Sequence, residues 1–156
     1  MKQLLEKLTE DLFKPYSMDE FIANKLKAAK CVLNSEGKWD CPGNIDLSDL
    51  GLRKIPVQFG EVSGDFICSY NKLTSLQGAP SKVSGVFFCN SNKLTSLQGA
   101  PSEVSGDFYC NNNNLTSLQG APSKVSGDFH CSNNKLTSLK GIGKVKGKIY
   151  KKCNSC

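Results

Sequence analysis

The sequence predicts an α+β solenoid of about five 21-residue coils with a parallel β-sheet and an N-terminal helical cap. The first observation is a repeat: the segment from Val62 to Pro80 recurs from Val83, from Val104 and, less completely, from Val125. A constant period of this length is typical of stacked supersecondary units that share one core. The second is an alternating apolar pattern inside each repeat, and the third is a helical pattern before the first repeat.

Each repeat contains a short strand with one buried side. Phe and Cys stand two residues apart, so both point to the same side of a strand, and we expect that side to face the core. An Asn follows three residues after each Cys, and a Leu two residues later. The side-chain amide of a repeated Asn can bond backbone groups that a buried turn would leave unpaired. The positions are Phe66, Phe87, Phe108 and Phe129; Cys68, Cys89, Cys110 and Cys131; Asn71, Asn92, Asn113 and Asn134; and Leu73, Leu94, Leu115 and Leu136.

The order F-x-C-x-x-N-x-L resembles the L-x-L-x-x-N/C-x-L signature of leucine-rich repeats. The resemblance covers Val62 to Leu139, and a degenerate copy precedes it, with Ile45, Leu47 and Leu52 at equivalent positions. The short repeat looks like the bacterial variety found in secreted effectors, with one residue added. The phrase L-T-S-L-x-G-A-P also resembles repeats in proteins of tailed bacteriophages and some bacteria. The resemblance implies a parallel sheet on a concave face and a scaffold used for binding.

Residues 1–44 are predicted to form a helical cap and a hairpin. Leucines at helical spacing predict one helix over Lys2–Phe13, and a capping-box pattern from Ser17 to Glu20 predicts a second, with Met18, Phe21, Ile22 and Leu26. Solenoids need terminal caps, since the first coil would otherwise expose its apolar cross-section. The alternative is that these helices detach and bind a partner. The segment from Cys31 to Cys41 predicts a hairpin, with Trp39 packed between cap and coil.

The solenoid is predicted over residues 45–145 and a basic C-terminal cap or tail over 146–156. The segment Gly141-Ile-Gly-Lys-Val makes the last repeat one residue shorter than the others. Lys151 stands where the inward Cys is expected. Loss of that apolar residue should end the stack.

Four of the eight cysteines belong to the repeat, and we expect them to be reduced. Parallel coils lie about 4.8 Å apart, which exceeds the Cβ separation of about 3.8 Å in a disulfide. Two further pairs, Cys31 with Cys41 and Cys153 with Cys156, would lie at opposite ends of the solenoid, so they cannot share one metal. No metal site and no cofactor are predicted.

Charge and hydropathy limit the function classes. No apolar run approaches the roughly 18 residues of a membrane helix, and no leader pattern precedes the first helix, so a soluble cytoplasmic protein is expected. The formal charge of +6 is matched by a cluster of six lysines without an acid among them: Lys140, Lys144, Lys146, Lys148, Lys151 and Lys152. The single histidine, His130, has no catalytic partner at a recognisable spacing, so no enzymatic activity is expected.

Outward strand positions supply the candidate binding surface. The row between Phe and Cys reads Ile67, Phe88, Tyr109 and His130, with Tyr150 as an extension and Tyr70, Val86 and Asp107 beside it. Aromatic anchors among small polar residues are typical of protein-binding patches. The alternative is that the row only stabilises cross-strand stacking.

The resemblance implies a phage accessory protein that binds and inhibits a host protein, for instance a defence component. Two other functions stay open at this point. One is nucleic-acid binding through Lys144, Lys146, Lys148, Lys151 and Lys152, and the other is a structural role in a virion.

Overall fold

The computed structural model describes residues 17–152 and contains one helix and thirteen short strands. The helix α1 spans Met18–Ala28. The strands are β1 (Val32–Leu33), β2 (Trp39–Cys41), β3 (Ile45–Asp46), β4 (Phe59–Val62), β5 (Phe66–Ile67), β6 (Lys82–Val83), β7 (Phe87–Phe88), β8 (Glu103–Val104), β9 (Phe108–Tyr109), β10 (Lys124–Val125), β11 (Phe129–His130), β12 (Lys144–Val145) and β13 (Ile149–Tyr150).

Helix α1 begins at the predicted capping box. The Ser17 hydroxyl accepts a hydrogen bond from the Glu20 amide, and the Glu20 carboxylate accepts one from the Ser17 amide, each at 3.2 Å. Ile22 and Leu26 are buried and belong to the same apolar core as the coils. Met18 lies on the exposed side of the helix. The other predicted helix, over residues 2–13, lies outside the described residues.

The predicted hairpin is confirmed, and its two cysteines are bonded to each other. Strands β1 and β2 pair antiparallel, with Val32 opposite Asp40. This register places Cys31 across from Cys41, and the two form a disulfide with a Cα separation of 4.2 Å. The sequence predicted these residues at the ends of the hairpin but did not predict a bond between them, so the disulfide is a new finding.

The molecule is a β-solenoid of about five turns, with two parallel sheets rather than the single sheet that the sequence predicted. One sheet has the order β1-β2-β4-β6-β8-β10-β12, and the other has the order β13-β11-β9-β7-β5-β3. All neighbours except β1 and β2 are parallel. The V-S-G-D-F segment explains the second sheet, because its Val ends one strand, Ser-Gly makes a corner and its Phe begins the next. Each repeat therefore contributes one strand to each sheet.

The core consists of the residues that the sequence predicted to face inward. The repeated Phe, Cys and Leu side chains are buried in every full coil, and the Val of the second sheet joins them. The rings of Phe66, Phe87 and Phe108 stack, with centroids 5.6 and 5.3 Å apart. The four repeat cysteines are buried free thiols, as predicted. One continuous apolar column thus runs through the coils.

The predicted asparagine ladder is also confirmed. The Asn92 side-chain amide donates to the Cys68 carbonyl of the previous coil at 3.0 Å and to the Cys89 carbonyl of its own coil at 3.1 Å. Its oxygen accepts from the Leu73 amide at 3.0 Å. The pattern recurs in each repeat, so the asparagines satisfy backbone groups that burial would otherwise leave unpaired.

Aspartates at the corners hold successive coils together. Asp65 accepts a hydrogen bond from the Val86 amide at 2.8 Å, and Asp107 accepts one from the Asp128 amide at 2.7 Å. The partners are 21 residues apart, one coil further on. These carboxylates are therefore bound to the backbone and are not grouped as metal ligands.

Both sheets reach their last described strand near the C-terminus. The shortened repeat pairs Lys124 with Lys144 and Phe129 with Ile149, which are 20 residues apart. In contrast to the buried Phe129, Ile149 and Tyr150 are exposed. Within residues 17–152, strands β12 and β13 each have one hydrogen-bonded neighbour. The same part of the chain contains no helix that is long and apolar enough to cross a membrane.

Candidate protein-binding surface

Five side chains form a continuous outward-facing stack on the six-stranded sheet, which we call the stacked row. Its members are Ile67, Phe88, Tyr109, His130 and Tyr150, and the strand register places each beside the next. The ring centroids are 4.8 Å apart between Phe88 and Tyr109, 4.1 Å between Tyr109 and His130, and 4.4 Å between His130 and Tyr150. The planes differ by 11° or less. The sequence-predicted row therefore exists as a geometric unit.

The stacking limits which parts of the rings reach solvent. Neighbouring rings cover each other's faces, so the stacked row presents ring edges, and its members other than Tyr150 are half-buried. The exposed fraction of Tyr150 rises to 43% because no described coil follows it. The result is a narrow, ordered aromatic strip with one uncovered face at the basic end of the solenoid.

A row of corner residues lies on one side of the strip. Asp65, Val86, Asp107 and Asp128 stand two positions before the stacked residues, and all are half-buried. The second carboxylate oxygen of Asp107 lies 3.5 Å from the Tyr109 hydroxyl. Partial burial, together with the negative charges of Asp107 and Asp128, raises the pKa of Tyr109 above its usual value. Tyr109 is therefore a neutral hydroxyl at physiological pH, and it donates its proton to the Asp107 carboxylate.

Small polar residues lie on the other side of the strip. Asn90 and Asn111 follow Phe88 and Tyr109 by two positions, and their side-chain oxygens accept no hydrogen bond from the described residues. Tyr70 adds an aromatic ring that is 63% exposed, on a backbone with φ of 55°. The left-handed backbone is uncommon for tyrosine. The two asparagine oxygens are thus buried beside the strip, whereas the Tyr70 ring is open to solvent.

The register reveals one row position that sequence analysis did not include. Asp46 pairs with Ile67 and so begins the row in the first coil. Although partial burial raises its pKa, hydrogen bonds donated by the hydroxyl and amide of Ser48 lower it more, with help from Lys25, so that the pKa of Asp46 lies below its usual value. The strip therefore begins with a carboxylate. Asp46 stands 21 residues before Ile67, and this spacing indicates in the sequence that it belongs to the row.

The lysines of the alternative hypothesis lie together at the C-terminal end of the coils. We call Lys144, Lys146, Lys148, Lys151 and Lys152 the basic end, and all five are exposed. Tyr150, the last residue of the stacked row, lies between Lys148 and Lys151 in the sequence, and Lys144 belongs to the other sheet. The two predicted surfaces can therefore be altered separately.

An apolar groove lies between helix α1 and the first coils, beside the point where the helix packs against them. It has a volume of about 420 Å³ and is lined by residues that include Ile22, Leu26, Trp39 and Val57. Trp39 is half-buried and packs against the apolar core at this point, as predicted. Among the described residues, no three His, Cys, Asp or Glu side chains are grouped as a metal site would require.

The fold and the strip define the protein as a β-solenoid with an ordered aromatic surface. Comparison of the chain with family models, curated proteins and solved structures found no match.

Proposed function

We propose that the protein is a non-enzymatic binding module of the leucine-rich-repeat class, and that the stacked row contacts another protein. The observation on which this proposal rests is the aromatic strip itself. Phe88, Tyr109, His130 and Tyr150 are held in register by a parallel backbone ladder and stack within 4.8 Å of one another.

Order in the strip favours binding for an energetic reason. A side chain that is already fixed loses little conformational entropy when a partner covers it. Aromatic residues combine large contact area with few rotatable bonds, and they are frequent among residues that dominate interface energies. The half-buried rings of the stacked row meet both conditions.

The pattern of variation supports the same proposal. The inward positions repeat Phe and Cys without change through four coils, whereas the row between them changes from Ile67 to Phe88, Tyr109 and His130. If the row served only to stack, the same residue could stand in every coil, as Phe does in the core. A surface in which each coil differs provides specific contacts along the strip.

The leucine-rich-repeat assignment and the cap are part of the proposal. The asparagine ladder fills the position of the Asn in the leucine-rich-repeat signature. Helix α1 buries Ile22 and Leu26 against the first coils, which supports a capping role for it. The resemblance to phage repeats favours a host protein as the partner.

The test compares two double variants of the full chain. Phe88→Ala with Tyr109→Ala removes two central rings of the strip. Thr95→Ala with Thr116→Ala is the matched control, because these exposed threonines lie in the same two coils but outside the strip. A partner captured from a host lysate by the wild-type chain is purified and titrated against both variants. We expect the aromatic variant to bind about 30-fold or more weakly, which corresponds to about 2 kcal/mol or more.

A third variant separates this proposal from nucleic-acid binding. Changing Lys144, Lys146, Lys151 and Lys152 to Gln should leave affinity for the protein partner nearly unchanged in moderate salt, since exposed charges mainly steer association. The proposal is wrong if this lysine variant loses the activity, the aromatic variant keeps it, and binding falls steeply as salt rises.

A further inference from the structure

One end of each sheet, formed by β12 and β13, lies at the basic end of the solenoid, and among residues 17–152 its backbone is hydrogen-bonded on one side only. The amides of Lys144 and Lys146 donate back to Ser123 and Val125, at 2.9 and 3.0 Å. The carbonyls of Lys148 and Tyr150 accept from the amides of Phe129 and Cys131. Along a parallel strand, the N–H and C=O groups of successive residues point to opposite neighbours. The N–H and C=O groups of β12 and β13 that do not bond to the preceding coil therefore point away from the coils. Within the described residues, nothing pairs with that edge.

Charge along the seven-stranded sheet alternates until this edge. In register, Glu61 stands beside Lys82, Lys82 beside Glu103, and Glu103 beside Lys124. The ammonium of Lys124 lies 4.0 Å from the Glu103 carboxylate. The next neighbour of Lys124 is Lys144, which breaks the alternation with a like charge. The position beyond Lys144 is therefore one where a carboxylate would restore it.

The six-stranded sheet ends in the same way. The corner aspartate that accepts an amide in earlier coils is replaced at this level by Lys148, which donates its own amide to Asp128 at 2.7 Å. Ile149 is 41% exposed, although its register partner Phe129 is fully buried. Tyr150 stacks on His130 with one face, and no aromatic ring of the described residues stacks on the other. The edge thus combines two lysines with an aliphatic and an aromatic side chain.

We propose that this edge binds an acidic segment of a partner protein as an added parallel strand. Such a segment would place carboxylates beside Lys144 and Lys148 and apolar side chains over Ile149 and Tyr150. Backbone hydrogen bonds would supply the pairing, and the side chains would select the sequence. A second copy of this chain does not fit in the end-to-end orientation, since two basic ends would face each other. The edge shares Tyr150 with the stacked row, and the acidic segment is a ligand distinct from the protein that the stacked row contacts.

The protein contains a sequence with the required chemistry, and it serves as the probe. The segment Glu103–Tyr109 pairs within the solenoid against Lys82–Phe88. Placed on the edge in the same register, its Glu, Asp, Phe and Tyr would lie beside Lys144, Lys148, Ile149 and Tyr150. A fluorescein-labelled peptide of this sequence is titrated with the full chain by anisotropy, at an ionic strength of about 0.15 M.

Two modified peptides test charge and backbone pairing independently. The first has Glu103→Lys and Asp107→Lys, and it should bind at least tenfold more weakly. The second is N-methylated at Ser105 and Gly106, whose amides donate to Val83 and Gly85 in the solenoid. It keeps both carboxylates but cannot form those hydrogen bonds, so it should also bind at least tenfold more weakly. Equal binding of the N-methylated peptide would mean that charge alone attracts it, and would overturn the proposal.

Charge reversal on the protein locates the site. Lys144→Glu with Lys148→Glu should lose the acidic peptide and gain the lysine peptide. Lys72→Glu with Lys93→Glu changes the net charge equally at exposed positions elsewhere, and it should bind like the wild type. Circular dichroism confirms that both variants fold. Equal losses in the two variants would exclude a site at the edge, as would the absence of peptide binding. A single-stranded oligonucleotide that displaces the peptide and binds more tightly would instead assign the edge to nucleic acid.

Discussion

The side-chain amide of Asn92 donates a hydrogen bond to the carbonyl of Cys68, 24 residues earlier, at 3.0 Å. The same side chain also accepts from the Leu73 amide, so one residue joins two coils through both of its polar groups. Asn71, Asn113 and Asn134 repeat the contact with their own preceding coils. Adjacent coils are thus connected inside the turn as well as along the two sheets.

Replacing Asn92 by Ala should destabilise the fold strongly. The change leaves buried backbone groups without partners, at a cost of about 1–3 kcal/mol for each. The free energy of unfolding is measured by urea denaturation. Asn114→Ala is the matched control, because Asn114 is half-buried, has no side-chain hydrogen bond within the described residues and is replaced by Lys in the other repeats. Equal stability of the two variants would contradict the structural role of the ladder.

The leucines of the core should behave as buried residues do. Leu94 and Leu115 are 0% exposed, so Leu→Ala at either position should cost about 2–5 kcal/mol of unfolding free energy. Thr95→Ala, at the exposed neighbouring position, is the control. Differential scanning calorimetry measures the change. A loss under about 0.5 kcal/mol at both leucines, typical of surface substitutions, would refute the inward assignment.

The buried thiols should react slowly and in a defined order. Burial raises the pKa of Cys68, Cys89 and Cys110 well above the usual value, so little thiolate forms at neutral pH. Burial also raises the pKa of Cys131, but the nearby Lys151 opposes the shift, so Cys131 should be alkylated before the other three. Mass spectrometry of the native protein after timed iodoacetamide treatment measures the order.

The remaining cysteines provide internal references for the thiol experiment. Cys31 and Cys41 should label only after reduction, because they form a disulfide. Cys153 and Cys156 lie outside the described residues, and the sequence predicts fast labelling for both. Rapid labelling of Cys89 in the folded protein would show that the inward and outward faces are assigned incorrectly.

The interior of the coils could be predicted from the sequence because repetition fixes it. Phe87 and Cys89 recur with a spacing of two, and the strand period alone places them on one side. The asparagine at position 92 has a counterpart in each repeat, at a turn whose backbone groups need a hydrogen-bond donor and an acceptor. The positions of the stacked row could be predicted from the inward ones, since residues between two inward positions of a strand must face outward.

The second sheet and the disulfide could not be predicted from the sequence in the same way. Strand β6 is only two residues long, Lys82–Val83, so no alternation marks it, and only the pairing of coils shows that it is a strand. The Cys31–Cys41 bond depends on the register of the hairpin, which places Val32 opposite Asp40. The turn length determines that register, and a spacing of ten residues between cysteines does not by itself indicate it.

The close approach of the coils at the Ser-Gly corner leads to the last prediction. A Cβ added at Gly106 would lie 2.7 Å from the carbonyl oxygen of Gly85, a backbone atom that cannot move without shifting the coil. Gly106→Ala should therefore cost about 1–3 kcal/mol, as overpacking does. At Gly43 an added Cβ would meet nothing within 4 Å, and the backbone there is not left-handed. Gly43→Ala should be neutral or stabilise the fold by about 0.4–1 kcal/mol, since alanine reduces the entropy of the unfolded chain. Urea denaturation of both variants measures the difference, and a Gly106→Ala protein as stable as the Gly43→Ala protein would mean that adjacent coils are not packed this closely at the corner.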